Sequence, residues 1–204
     1  EIESVGGQVL ALPIDLGDQP ALTGAIQQVA EHFGGIDILV NNAGVSIPTT
    51  LEDEGFDAAW QVSMTVMAQA QAWAIRAALP YLRKADHPRV VNVASTEATG
   101  ATRFTSAYTV AKHACVGLTR AMALELGKES ITVNCICPGP IRTGMTDAIP
   151  EEHKEVFAHR RTCLRRYAEP EEVAHATLSL VLPAASFITG AMLLVDGGLT
   201  IRNA

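Results

Sequence analysis

Five short apolar runs constrain the architecture of this chain more than any other feature. QVLALPID (8–15), IDILVN (36–41), RVVNVAS (89–95), ITVNCIC (131–137) and AMLLVD (191–196) each have the length of a buried strand. Between them the apolar residues recur at helical spacing. One helix opens at Asp18 and Pro20, carries Leu22, Ile26, Val29, Ala30 and Phe33 on one face, and closes at Gly34-Gly35. Longer helical stretches cover about 56–84 and 106–127, and another starts at Pro170, Glu171 and Glu172 and runs to about 182. Strands joined through helices need crossovers, and crossovers of this length make neighbouring strands parallel. The chain is therefore expected to form one doubly wound α/β domain over 1–204, since no repeat or linker divides it. Ligands in such sheets sit beyond the carboxyl ends of the strands, which directs attention to Asp15, Asn41 to Gly44, Ser95 and Cys137 to Thr143.

Composition agrees with that layout. Hydrophobic residues make up 48% and aromatics only 5%, so the core is built from Ala, Val, Leu and Ile, which suits helices packed closely on β-branched strands. Fifteen Lys and Arg against 22 Asp and Glu leave a net charge of −7, which argues against an electrostatic nucleic-acid binder. No run approaches the roughly 18 uninterrupted apolar residues of a membrane span, and EIESVGGQ lacks the pattern of a signal peptide. A cytoplasmic protein with no membrane partner is expected. Cys135 and Cys137 face the same way along a strand, but no second ligand pair follows, so they read as small core residues and no metal site is expected.

Chemistry concentrates at the strand ends. Asn41-Asn42-Ala43-Gly44 closes the second run with small residues that let a flat ligand lie against the backbone, and with amides that can hold loops or bridge strands. The third run ends at Ser95. Thirteen residues later comes Tyr108, with Lys112 four beyond it on the same helix face. A free phenol has a pKa of about 10, and a neighbouring cation lowers it. Tyrosine as acid and base, lysine as tuner and serine as hydrogen-bond partner for a carbonyl oxygen form a workable reductase constellation. The fourth run leads into Pro138-Gly139-Pro140-Ile141-Arg142-Thr143, where Thr143 offers a hydroxyl and an amide to a ligand.

From Gly6 to the C-terminus the sequence resembles the classical short-chain dehydrogenase/reductase family. The resemblance rests on Asp15, NNAG at 41–44, Ser95 with Tyr108 and Lys112, Asn134 with Pro138-Gly139, and DGG at 196–198. It implies a Rossmann-like fold and an oxidoreductase that moves a hydride between NAD or NADP and a carbonyl or secondary alcohol. By position, Asp15 and the Leu16 backbone would hold the adenine, and Asn41, Asn42, Ala43 and Gly44 would line the ribose and brace the sheet. Tyr108 would exchange the proton with the substrate oxygen, Ser95 would steady that oxygen, and Lys112 would hold the nicotinamide ribose and depress the Tyr108 pKa. Pro138, Gly139, Ile141 and Thr143 would line the nicotinamide end. Residues 144–165 would form a mobile substrate lid, expected to be the least regular part of the chain and carrying Met145, Phe157 and the basic run His159, Arg160, Arg161. Association through the two long helices implies a homotetramer.

Two departures stand out. The family's asparagine in the long helix supports a water in a proton relay, and counting seven residues on from Phe56 puts Ser63 in its place, which predicts a working enzyme with a loosened relay. The family's Gly-rich phosphate loop, GxxxGxG, fits nowhere, because no two of the 16 glycines are separated by one residue. An N-terminally incomplete chain, short of a strand–helix–strand unit of roughly 40 residues, is therefore expected. The competing reading, drawn from Ser63 and the absent loop, is a non-catalytic cofactor-binding or scaffolding subunit.

Overall fold

The computed structural model describes residues 2–202. Its helices and strands alternate in the order α1 (Gln19–Phe33), β1 (Ile38–Asn41), α2 (Phe56–Met64), α3 (Ala70–Leu82), β2 (Arg89–Val93), α4 (Ser106–Leu126), β3 (Thr132–Pro138), α5 (Glu151–Arg161), α6 (Pro170–Val181) and β4 (Met192–Val195). The four strands form one parallel sheet in the order β1-β2-β3-β4. Register runs straight across it: Asn41 pairs with Asn92, Asn92 with Cys135, and Cys135 with Met192.

Alternation along the strands sends side chains to two helical layers. On one face Val90 and Val133 join Leu22 and Ile26 of α1, Ala70, Ala74 and Ala78 of α3, and Ala123 and Leu126 of α4 in a single core cluster. On the other face Val91 and Ile136 pack on Leu180 of α6. Each fully buried Leu, Ile or Val contributes about 1.5–3 kcal/mol. The alanines at four-residue intervals on α3 form a smooth ridge against which α1 packs. Asp18 caps α1 by accepting a hydrogen bond from the Ala21 amide at 3.0 Å, and Gly34 ends it in the left-handed conformation at φ +84°.

Several expectations need correction. Residues 8–15 are not a strand: they form no secondary structure, and most of their side chains are exposed. A strand exists through its hydrogen-bonded neighbour, and these residues pair with no strand among those described. For the same reason β1 lies at an edge of the sheet, with Ile38 45% and Val40 44% exposed rather than buried on both faces. The helix predicted over 56–84 is present, but Thr65–Gln69 between α2 and α3 form a π-turn. Finally, the segment 144–165 is more regular than expected. Its centre is α5, with Glu151 and Glu152 in the first turn and His159, Arg160 and Arg161 in the last, a charge order that favours the helix dipole.

Candidate active site

The site begins with a buried polar chain beneath the strand ends. The Asn41 side-chain amide donates to Asn92 Oδ1 at 2.8 Å, Asn92 donates to Thr119 Oγ1 at 2.9 Å, and Thr119 donates to the Cys115 carbonyl at 2.8 Å. Asn92 and Thr119 are fully buried. The chain ties β1 to β2 and both to α4, so Asn41 braces the sheet. Asn92 and Thr119 escaped the sequence reading because they lie in mid-strand and mid-helix, where a polar residue among apolar ones was the available signal.

α4 then carries the reactive groups upward. Lys112 is only 3% exposed, and its ammonium donates to the Val93 carbonyl at 2.8 Å. The Nζ atom stands 5.5 Å from the centre of the Tyr108 ring. Ser95 stands close enough to the Tyr108 phenol to pull its pKa down, so Ser95, Tyr108 and Lys112 come together in the structure. Burial raises the Tyr108 pKa above the ordinary phenol value; the Ser95 hydrogen bond pulls it down, and the negative charge of Glu97 pushes it up again. Burial also lowers the pKa of Lys112 itself.

Glu97, which the sequence reading passed over, is a structural neighbour of this pair. Its backbone amide donates to Ser95 Oγ at 3.2 Å, and its carboxylate accepts from the Thr102 amide and hydroxyl and from Thr109 Oγ1 of α4. These bonds fasten the 95–102 segment to the helix turn that holds Tyr108. Below the pair, Cys115, Cys135 and Cys137 pack with Ala94, Ala98 and Val116, as small core residues should, and burial pushes the Cys115 thiol up to about 11.

Ser63, which stands where the resemblance puts an asparagine, is fully buried in α2, with an unpartnered hydroxyl. Met67, one turn on, is fully buried in the π-turn. A methyl placed on Gly44 would stand 3.6 Å from Met67 Sδ and 3.7 Å from Lys112 Nζ, so both side chains border the space beside Gly44.

The remaining predicted residues lie on strand ends or on loops that follow them. Gly139 is required by close approach: a Cβ there would come within 2.7 Å of Asp196 Cα. Asn134 staples the approach to β4, donating to the Ile188 carbonyl at 2.8 Å and accepting from the Ala191 amide at 3.0 Å. Pro138 ends β3. Ile141 is buried and its carbonyl accepts from Thr146 Oγ1. The Thr143 amide donates to that same Thr146 oxygen at 3.1 Å, so it is engaged within its own turn. Asn42 and Ala43 are exposed. Asp15 is exposed and accepts from the Gly17 amide at 2.8 Å, while Leu16 packs against the core under α1.

A parallel sheet with a serine, a tyrosine and a buried lysine converging at its strand ends defines a doubly wound oxidoreductase. A family model described as Enoyl-(Acyl carrier protein) reductase matches residues 1–200. Meso-2,3-butanediol dehydrogenase of Serratia marcescens is 39% identical over 197 residues, covering 97% of this chain and 77% of that protein. A mutant short-chain dehydrogenase/reductase of the same organism superposes with a TM-score of 0.89 at 36% identity, over 98% of this chain and 80% of its own. A blue fluorescent protein from a metagenomic library, solved in complex with NADPH, superposes with a TM-score of 0.88 at 32% identity, over 97% and 78%. The chain belongs to the short-chain dehydrogenase/reductase family. It is an oxidoreductase of alcohols and carbonyls that uses NAD or NADP.

The residues present fit such a cofactor. Lys112 has three N–H donors, of which one is bonded to Val93, and Gly44 leaves the space beside the ammonium free of any side chain of its own. No helix among the described residues is long and apolar enough to cross a membrane.

Proposed function

We propose that the chain interconverts a secondary alcohol and its ketone, with Tyr108 as the general acid and base. When bound, the nicotinamide supplies or takes up the hydride. The protein's part is to place the proton. Because burial holds the phenol above its ordinary pKa, Tyr108 stays protonated at neutral pH and is ready to donate to a carbonyl oxygen. Oxidation needs the phenolate, so its rate rises with pH. Ser95 shares the reacting oxygen with Tyr108. Lys112, anchored on Val93, holds the nicotinamide ribose, and Asn42, Ala43 and Gly44 line the approach. Asp15 and Leu16 serve the adenine end, while Pro138, Gly139, Ile141 and Thr143 serve the nicotinamide end. Thr143 does so through its hydroxyl, since its amide is engaged.

The observation that carries this reading is the meeting of Ser95, Tyr108 and buried Lys112 at the ends of β2 and α4. Likeness to a butanediol dehydrogenase makes small vicinal diols and hydroxyketones the first substrates to try. Steady-state turnover of a carbonyl panel with NADH and NADPH tests it. Tyr108→Phe is expected to lose roughly 10²–10⁴-fold in kcat with cofactor binding retained; undiminished turnover refutes the assignment.

Residues 144–165, with Met145 49% and Phe157 40% exposed, serve as the substrate lid. The assembly is a homotetramer built on the long helices, where Val62, Val110 and Leu124 present apolar surface to solvent. Light scattering of the purified enzyme checks this, and a monomer overturns it.

A further inference from the structure

In this acidic chain, a gathering of positive charge surrounds a cavity of about 620 Å³ between α5 and the segment 162–168. Arg142, Lys154, His159, Arg160, Arg165 and Arg166 line it, and Glu155 is the one carboxylate in its wall. The volume is that of a small-molecule site. From this cavity we propose a second ligand site, one that takes a phosphate or pyrophosphate group carried by a small organic molecule.

The cations fall into two sets. Arg142 is held by Glu151 and Glu169, and Arg166 forms a double hydrogen bond with Glu172 at 2.7 Å for each contact. These guanidiniums are neutralised and fixed by carboxylates that do not line the cavity. Arg160 and Arg165 have no carboxylate partner among the described residues. Arg165 meets only His159, Nη1 to Nε2 at 3.4 Å. Lys154, in the wall with 7% of its surface exposed, belongs to the paired set through Glu151, Nζ to Oε2 at 3.8 Å. Positive groups gathered without matching acids cost stability, and an anion bound among them removes that cost. Guanidiniums match the oxygens of phosphate in pairs.

Backbone geometry is an independent sign. Arg165 has φ +56°, a left-handed conformation that disfavours a long side chain. Strain of this kind persists where the surroundings fix it, and here it accompanies a guanidinium at the cavity. Ala158 and Tyr167, both buried, supply an apolar part of the wall for the organic portion of the ligand.

The test is titration calorimetry of inorganic pyrophosphate into the enzyme saturated with whichever of NADH and NADPH supports turnover, at ionic strength held constant with potassium chloride. Phenyl phosphate and inorganic phosphate serve as the other two probes. One pyrophosphate per subunit is expected, with affinity at least tenfold weaker in Arg160→Gln/Arg165→Gln. Phenyl phosphate binding more tightly than inorganic phosphate assigns the site to an organic phosphate; equal affinities overturn the organic part of the proposal. Arg165→Gly removes the same charge while relieving the strained φ, so it folds at least as well as the wild type and is expected to weaken binding on its own. Absence of saturable binding, wild-type affinity in both variants, or displacement of the nicotinamide cofactor by pyrophosphate overturns the site.

Discussion

β2 and β1 are neighbours with similar sequences and opposite surroundings. RVVNV of β2 is buried at its first four positions, whereas in ILVN of β1 exposed and half-buried residues alternate. β2 has a strand on each side and helices on each face; β1 has one strand beside it among the described residues. An apolar run of strand length therefore announces a strand without saying how many of its sides are covered. The site follows the covered strands: Lys112 is anchored on the last residue of β2, and Ser95 follows two residues later.

The buried polar chain is the sharpest place to break this contrast. Asn92→Leu removes both a donor and an acceptor from a fully buried network and leaves the Asn41 amide unanswered. A loss of about 2–3 kcal/mol in unfolding free energy is expected. A loss below about 0.5 kcal/mol in denaturant titration contradicts the bracing role.

A matched pair of smaller changes probes the two strands directly. Val91→Thr buries a hydroxyl on the α6 face and is expected to cost about 1–3 kcal/mol. Val40→Thr, at a position 44% exposed, is expected to stay within about 0.5 kcal/mol. Equal costs in chemical denaturation show that the outer face of β1 is covered in the protein, and the contrast then disappears.

Much of this architecture was legible because the signals were local. Four of the five strand-length runs, the Asp18 cap and the Tyr108–Lys112 spacing depend on neighbours in sequence, and each lies where it was expected. What failed depends on packing. Residues 8–15 read as a strand because they are apolar, yet strand formation needs a partner that no run of residues announces about itself. Burial, invisible in the spacing, sets the direction of the Tyr108 pKa.

Ser63 is where packing and pattern can be set against each other by one substitution. Ser63→Asn supplies the amide that the family pattern has at this buried position and is expected to change the rate and the pH profile of turnover. An unchanged rate and profile contradict a relay through residue 63.

The smallest effects fall on the phenol itself, and there the direction is the test. The negative charge of Glu97 raises the Tyr108 pKa, so Glu97→Gln lowers it and moves the alkaline rise in alcohol oxidation to lower pH. The Ser95 hydrogen bond acts the other way, so Ser95→Ala raises the pKa and moves that rise to higher pH, with a loss of rate because the reacting oxygen also loses a partner. In the first variant the new side-chain amide keeps an oxygen with which to accept from the Thr102 amide, and Thr109 remains within reach of it, so the 95–102 segment stays on α4. Opposite shifts in kcat/KM profiles for oxidation are therefore expected from two residues that flank one hydroxyl. Shifts in the same direction mean that the titrating group is not Tyr108, because no single phenol responds alike to losing a charge that raises its pKa and a bond that lowers it.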